Sequence, residues 1–172
     1  MSRAPDFGAV KTSAELLSVA RAMEERSAER YRELAEAFEA SCNNPDTAEA
    51  FAELADMEER HAADFPTTIG PRPDTVPWGE DDPEIADPDA VHYLMWPWHA
   101  FDLALRHEQD TLALFEALAD KSPFADVRAE ALTLVEREKG HVRVMQARRD
   151  ELPVPPDDWE YDDDDPNWEA GD

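Results

Sequence analysis

Two short patterns, Glu58-x-x-His61 and Glu138-x-x-His141, each set a carboxylate and an imidazole on one face of a helix, because positions i and i+3 lie one above the other. Each pattern interrupts an apolar stripe of helical period: Phe51, Leu54, Glu58, His61, Phe65 in one and Val127, Ala131, Leu134, Glu138, His141, Met145 in the other. Two more stripes carry a lone Glu at mid-length. They read Leu17, Ala20, Glu24, Ser27, Tyr31, Leu34, Phe38 and Phe101, Leu105, Glu108, Leu112, Phe115, Leu118. A carboxylate inside a helical core costs several kcal/mol unless it is paired, protonated or bound to a cation. Four bare carboxylates in one layer would be untenable. One Glu from each of two helices, with Glu-x-x-His from each of two others, is the donor set of a di-iron or di-manganese carboxylate site. The expected ligands are therefore Glu24, Glu58, His61, Glu108, Glu138 and His141, holding two ions per chain. The bland alternative, solvated Glu and partnered His on surface stripes, would need other apolar faces to build a core.

These residues must be brought to one level, and the intervening sequence suits that. A first helix opens at Thr12-Ser13-Ala14-Glu15, a capping box, and runs to about Ala40. A second begins after Asn43-Asn44 with Pro45 at its first position and stops before Pro66. The third spans about Trp98 to Asp120, and the fourth is expected to start at Ser122-Pro123, cap and first-turn proline, and to end before Leu152-Pro153. At ~1.5 Å rise per residue, the four Glu fall within ~6 Å of one another along the bundle axis. Between the second and third helices lie residues 66–97, which hold seven of the 14 prolines. A short helical turn near Pro88 to Leu94 is the regular structure expected there. Short, long, short connections predict an all-α, ferritin-like four-helix bundle with one crossover. The domain plan is an N-terminal extension (1–11), the bundle (12–152, crossover 66–97) and an acidic, flexible tail (153–172).

Composition narrows the function. The 172 residues carry 42 acids against 16 bases, a formal net charge of −26, which excludes a nucleic-acid binder and docking on an anionic membrane. The single Cys, Cys42, excludes a disulfide framework and any four-cysteine metal site. No apolar signal core stands at the N-terminus and no run approaches ~20 apolar residues, so a cytoplasmic protein is expected. The last 23 residues hold 11 acids and no base, a tail that Trp159 and Trp168 are able to anchor. Tyr31 reads as a large aromatic in the core that is also placed for a redox or hydrogen-bonding role beside the ions. His107 is expected at a surface or between helices, and His92 and His99 belong to an aromatic cluster covering one bundle end.

The runs Met23-Glu24-Glu25-Arg26-Ser27-Ala28-Glu29-Arg30-Tyr31, Met57-Glu58-Glu59-Arg60-His61, Leu105-Arg106-His107-Glu108 and Glu136-Arg137-Glu138-Lys139-Gly140-His141 resemble the ferritin-like, rubrerythrin-related dimetal-carboxylate family over about residues 12–150. The resemblance includes an aromatic seven residues after a ligand Glu, here Tyr31 after Glu24 and Phe115 after Glu108. It implies the same six ligands, with Glu58 and Glu138 bridging. Two departures stand out. No rubredoxin-like cysteine site exists, and Thr111 occupies the place of the family's extra Glu, which moves with iron redox state. Redox chemistry with O2 or H2O2, as peroxide reduction or ferrous oxidation by an oxidoreductase, is the function this implies. The alternative is an iron-binding or storage protein, cargo of a larger shell. Iron is the first expectation for the metal, while the same donors accept Mn or Zn. A homo-oligomer, a dimer first, is expected.

Overall fold

The computed structural model describes residues 7–40, 44–70, 73 and 91–160, and these form four helices. They are α1 (Ser13–Ala40), α2 (Pro45–Ala63), α3 (Pro97–Lys121) and α4 (Ala125–Asp150). Thr12 caps α1 by accepting the Glu15 N–H at 3.1 Å, whereas the Glu15 carboxylate reaches one residue further back and accepts from the Lys11 N–H at 2.8 Å. Asn44 caps α2 by accepting from the Thr47 N–H at 3.3 Å, with Pro45 in the first turn. The same Asn44 donates through Nδ2 to the Met95 carbonyl at 2.9 Å, and the Thr47 hydroxyl donates to that carbonyl at 2.6 Å. One cap thus also pins the approach to α3.

The expected start of α4 at Ser122-Pro123 is displaced by two residues. Ser122 ends α3 instead, its N–H donating to the Leu118 carbonyl, and Phe124 is the residue before the first turn of α4. Arg128 from the next turn donates to the Ser122 carbonyl at 2.8 Å. The serine is spent closing one helix, so the proline sits in the link rather than in the following helix. Residues 91–96 form a turn rather than a turn of helix. Pro88 to Ala90, where the short helix was also expected, lie outside the described residues, as do Cys42 and Trp168.

The core is split in two. One cluster gathers the C-terminal half of α1 (Tyr31, Leu34, Phe38), the N-terminal half of α2 (Phe51, Leu54), the start of α3 (Phe101, Leu105) and Met145 of α4. The other gathers the start of α1 (Leu16, Val19, Met23), Phe65 after α2, the end of α3 (Phe115, Leu118) and the start of α4 (Val127, Ala131, Leu134). This makes α2 and α3 run one way and α1 and α4 the other. The crossover must therefore travel the length of the bundle. Arg21 and Arg26 tie its first residues to α1, donating to the carbonyls of Gly70 (3.1 Å) and Pro73 (2.9 Å). Two ion pairs clamp α4, Arg148 with Glu53 of α2 and Arg149 with Asp102 of α3. Among the described residues no helix is long and apolar enough to cross a membrane.

Ahead of α1, Val10 is buried and Phe7 packs on the second cluster, so the extension contributes to the core from residue 7 onward. Behind α4, Trp159 packs against the first cluster.

Candidate metal centre

The layer between the two apolar clusters is where the four interrupted stripes meet. Glu24, Glu58, Glu108 and Glu138 are all buried, at 2, 4, 5 and 1 % exposure. His61 and His141 are only partly buried, so the imidazoles form the mouth of the layer and the carboxylates its floor. The rings lie nearly parallel, 4° apart, with centroids at 3.6 Å. Nδ1 of His61 faces Oε2 of Glu58 at 3.2 Å and Oε2 of Glu24 at 3.6 Å. On the other pair of helices, Nδ1 of His141 faces Oε2 of Glu138 at 3.2 Å and Oε2 of Glu108 at 3.5 Å. The two halves mirror each other, as the matching Glu-x-x-His spacing on α2 and α4 requires.

Taking one ligand atom per residue, three groups each have their atoms within 4.8 Å of one another: Glu24/His61/His141, Glu58/His61/Glu108 and Glu108/Glu138/His141. All six sequence-derived candidates fall in these groups, and the groups share members.

The electrostatics follow from this crowding. Burial, then the charges of Glu58 and Glu138, push the Glu24 carboxyl up from 4.5 to about 8, against a lowering hydrogen bond from His61. Burial alone would depress His61. Its contacts with Glu24 and Glu58 override that and raise it from 6.5 to about 9. On the α4 side, Oε2 of Glu138 and Nδ1 of His141 are buried without a hydrogen-bond partner, although they lie 3.2 Å apart. Two buried polar atoms this close, with no hydrogen bond between them, suit a cation. The donor set, all carboxylate oxygen and imidazole nitrogen, suits iron, manganese or zinc.

Close by, His107 is buried between helices, one of the two places expected for it. Its Nδ1 shares a 3.0 Å hydrogen bond with the Tyr31 hydroxyl, and the two rings stack at 6.4 Å. Burial, with Arg106 nearby, pushes His107 down to about 4, so the ring is neutral at pH 7. Tyr31 also stacks on Phe51, which places it in the first cluster with its hydroxyl engaged by His107. Thr111 and Ser27 are buried, and Asp110 is exposed, as its position off the stripe demands.

Arg137 is the contributor that sequence reasoning missed. Its Nη2 lies 3.4 Å from Oε1 of Glu24 and also donates to the His61 carbonyl. A faint signal existed: Arg137 precedes His141 by four residues and so shares a helix edge with it.

His92 and His99 sit at one end with Trp159, which lies over His99 (centroids 3.9 Å) and edge-on to His92 (5.5 Å). Among the described residues, neither histidine belongs to a group of ligand atoms in the carboxylate layer. Their Nδ1 atoms accept the N–H groups of Trp96 and Leu94, a capping role.

The sequence profile of the rubrerythrin family matches residues 15–148, most of the chain and all six candidate ligands. The chain belongs to the rubrerythrin family. No curated protein and no solved structure gives a significant match to it. The family is one of ferritin-like di-iron carboxylate domains, and the chain carries carboxylate and histidine groups that could hold metal ions.

Proposed function

We propose that this rubrerythrin-family chain would hold two metal ions, iron first, through Glu24, Glu58, His61, Glu108, Glu138 and His141, and use them for redox chemistry with O2 or H2O2. The observation that supports it is the overlap of three ligand groups among exactly six residues in one layer. A redox-active pair held there would exchange two electrons with dioxygen or peroxide, as peroxide reduction or ferrous oxidation.

The chain's own part is binding, orientation, exclusion of water and proton handling. Imidazole Nδ1 atoms and carboxylate Oε2 atoms already point at common centres, so little reorganisation is needed to take a cation. Before ions enter, Glu24 and His61 retain protons at neutral pH, and these leave when a cation replaces them. The apolar clusters on either side keep bulk water from the floor of the layer. Tyr31 and His107 brace α1 against α3 one residue from Glu108. Thr111, a buried neutral side chain one turn beyond Glu108, supplies no seventh carboxylate. A mechanism that relies on a mobile extra Glu is therefore not the one proposed.

Element analysis of full-length protein, purified from its own host or loaded anaerobically with Fe(II), tests the binding. Two ions per chain are expected, falling below one in Glu138→Ala. Fewer than one ion in the wild type would refute the reading. Turnover of H2O2 with a reductant would mark an oxidoreductase, and stoichiometric Fe(II) oxidation with retained Fe(III) would mark storage instead.

A further inference from the structure

The guanidinium of Arg137 enters the layer from α4 and makes three contacts. Nη2 donates to the His61 carbonyl near the end of α2 and approaches Oε1 of Glu24 on α1 at 3.4 Å, while Cζ stands 4.0 Å from the centroid of the Phe65 ring. Both N–H protons of Nη2 are thereby assigned, one to each oxygen. The planar face is held by an aromatic, a geometry that suits arginine and not lysine. Glu24 is split between two partners: Oε1 faces the guanidinium, and Oε2 faces His61 Nδ1 at 3.6 Å. The Arg137 side chain is 21 % exposed against 3 % for that of Glu24, so its charge sits at the rim and reaches inward. Three helices and the start of the crossover meet at this one side chain.

We propose that Arg137 is a positioning residue and built-in counter-cation for this centre: it holds Oε1 of Glu24 while no divalent ion is present and competes with an incoming ion for that carboxylate. The inference rests on the dimetal reading above. A fixed positive charge beside a ligand does two opposite things. In the metal-free protein, where Glu24 keeps a proton, it donates to Oε1 of that carboxyl, sets a positive charge beside the other buried acids and ties α4 to α1 and α2. Toward a divalent cation it is a like charge at short range, in surroundings where such interactions are only weakly screened. Loss of a merely structural arginine would lower the stability of metal-free and loaded protein alike, leaving affinity unchanged. A counter-cation makes the two move in opposite directions.

Full-length protein, stripped of metal, is titrated with Co(II) by calorimetry, and the d–d absorption of bound Co(II) reports its coordination. In Arg137→Gln, which keeps a donor for the His61 carbonyl and loses the charge, Co(II) should bind about tenfold tighter while the metal-free melting temperature falls. In Arg137→Lys, which keeps the charge, affinity should stay within about threefold of wild type. Equal or weaker Co(II) binding by the Gln variant, or equal affinity in the two variants, overturns the proposal. If Arg137→Gln does not fold without metal, adding Co(II) should restore its helical circular dichroism, because the ion supplies the missing charge; failure to do so also overturns it. Wild-type protein that binds no Co(II) refutes the dimetal reading itself, an outcome distinct from a bound ion that ignores Arg137.

Discussion

Raising the pH from 7 to 9 should destabilise the metal-free protein, and the size of the effect follows from two buried groups. Glu24 titrates near 8 in the folded chain against 4.5 unfolded, and His61 near 9 against 6.5. Both folded values are raised, so each group contributes stability that is complete below its unfolded value and is lost as pH climbs through its folded value. Between pH 7 and 9 the folded state sheds protons that the unfolded state has already lost. Glu24 accounts for about 1 kcal/mol and His61 for about 2 kcal/mol, together roughly 3 kcal/mol. For a domain of this size that is a fall in Tm of about 6–12 °C. The window isolates the layer. Ordinary carboxylates finish titrating well below pH 7, and His107 and His99, both lowered by burial, add little above it because a free imidazole is itself mostly neutral there. Thermal melts of chelator-treated protein in buffers of fixed ionic strength, followed by far-ultraviolet circular dichroism, measure the slope. Glu24→Gln should flatten most of it, since it removes one titrating group and one partner of the other. Saturating metal should also flatten it, because bound ions have displaced those protons, and should raise Tm at every pH by mass action. A flat profile for the metal-free wild type, or an undiminished slope in Glu24→Gln, would refute the account of shared protons in the layer.

The remaining predictions use single changes around the same frame. His141→Ala should remove metal, whereas His107→Ala should keep it and lose about 1–3 kcal/mol, the cost of leaving the buried Tyr31 hydroxyl without its partner; comparable metal loss in both would show that the two faces of α3 and α4 are misassigned. Phe51→Ala should cost about 3–5 kcal/mol in denaturant melts, because Phe51 is fully buried between Tyr31 and Phe38. Truncation after Leu152 should preserve metal content while exposing His92 and His99, with a loss of about 1 kcal/mol from the aromatic contacts of Trp159; loss of metal on truncation would mean the tail closes the site.

What could be read from sequence was the part governed by local periodicity. The stripe through Leu17, Glu24, Tyr31 and Phe38 follows from 3.6 residues per turn, and a Glu in a stripe of apolar residues is costly wherever that stripe is buried. Glu58 with His61 and Glu138 with His141 share a face for the same reason, before any helix packs. Pro45 after Asn44 marks a helix start by its own geometry. Tertiary structure decided what depends on who arrives from elsewhere. Ser122 looked like a cap for α4, but its backbone closes α3 and is held by Arg128, so the start moved. His107, turned about 100° from Glu108, could by sequence face solvent or another helix; Tyr31 meets it there, and the space between α1 and α3 buries both. No stripe singles out Arg137. Its long side chain crosses from α4 to Phe65, the His61 carbonyl and Glu24, a reach that no repeat in the sequence encodes. Helical period fixes which way a residue faces on its own helix, whereas the charge and hydrogen-bond partners it meets are set by the packing of the other three.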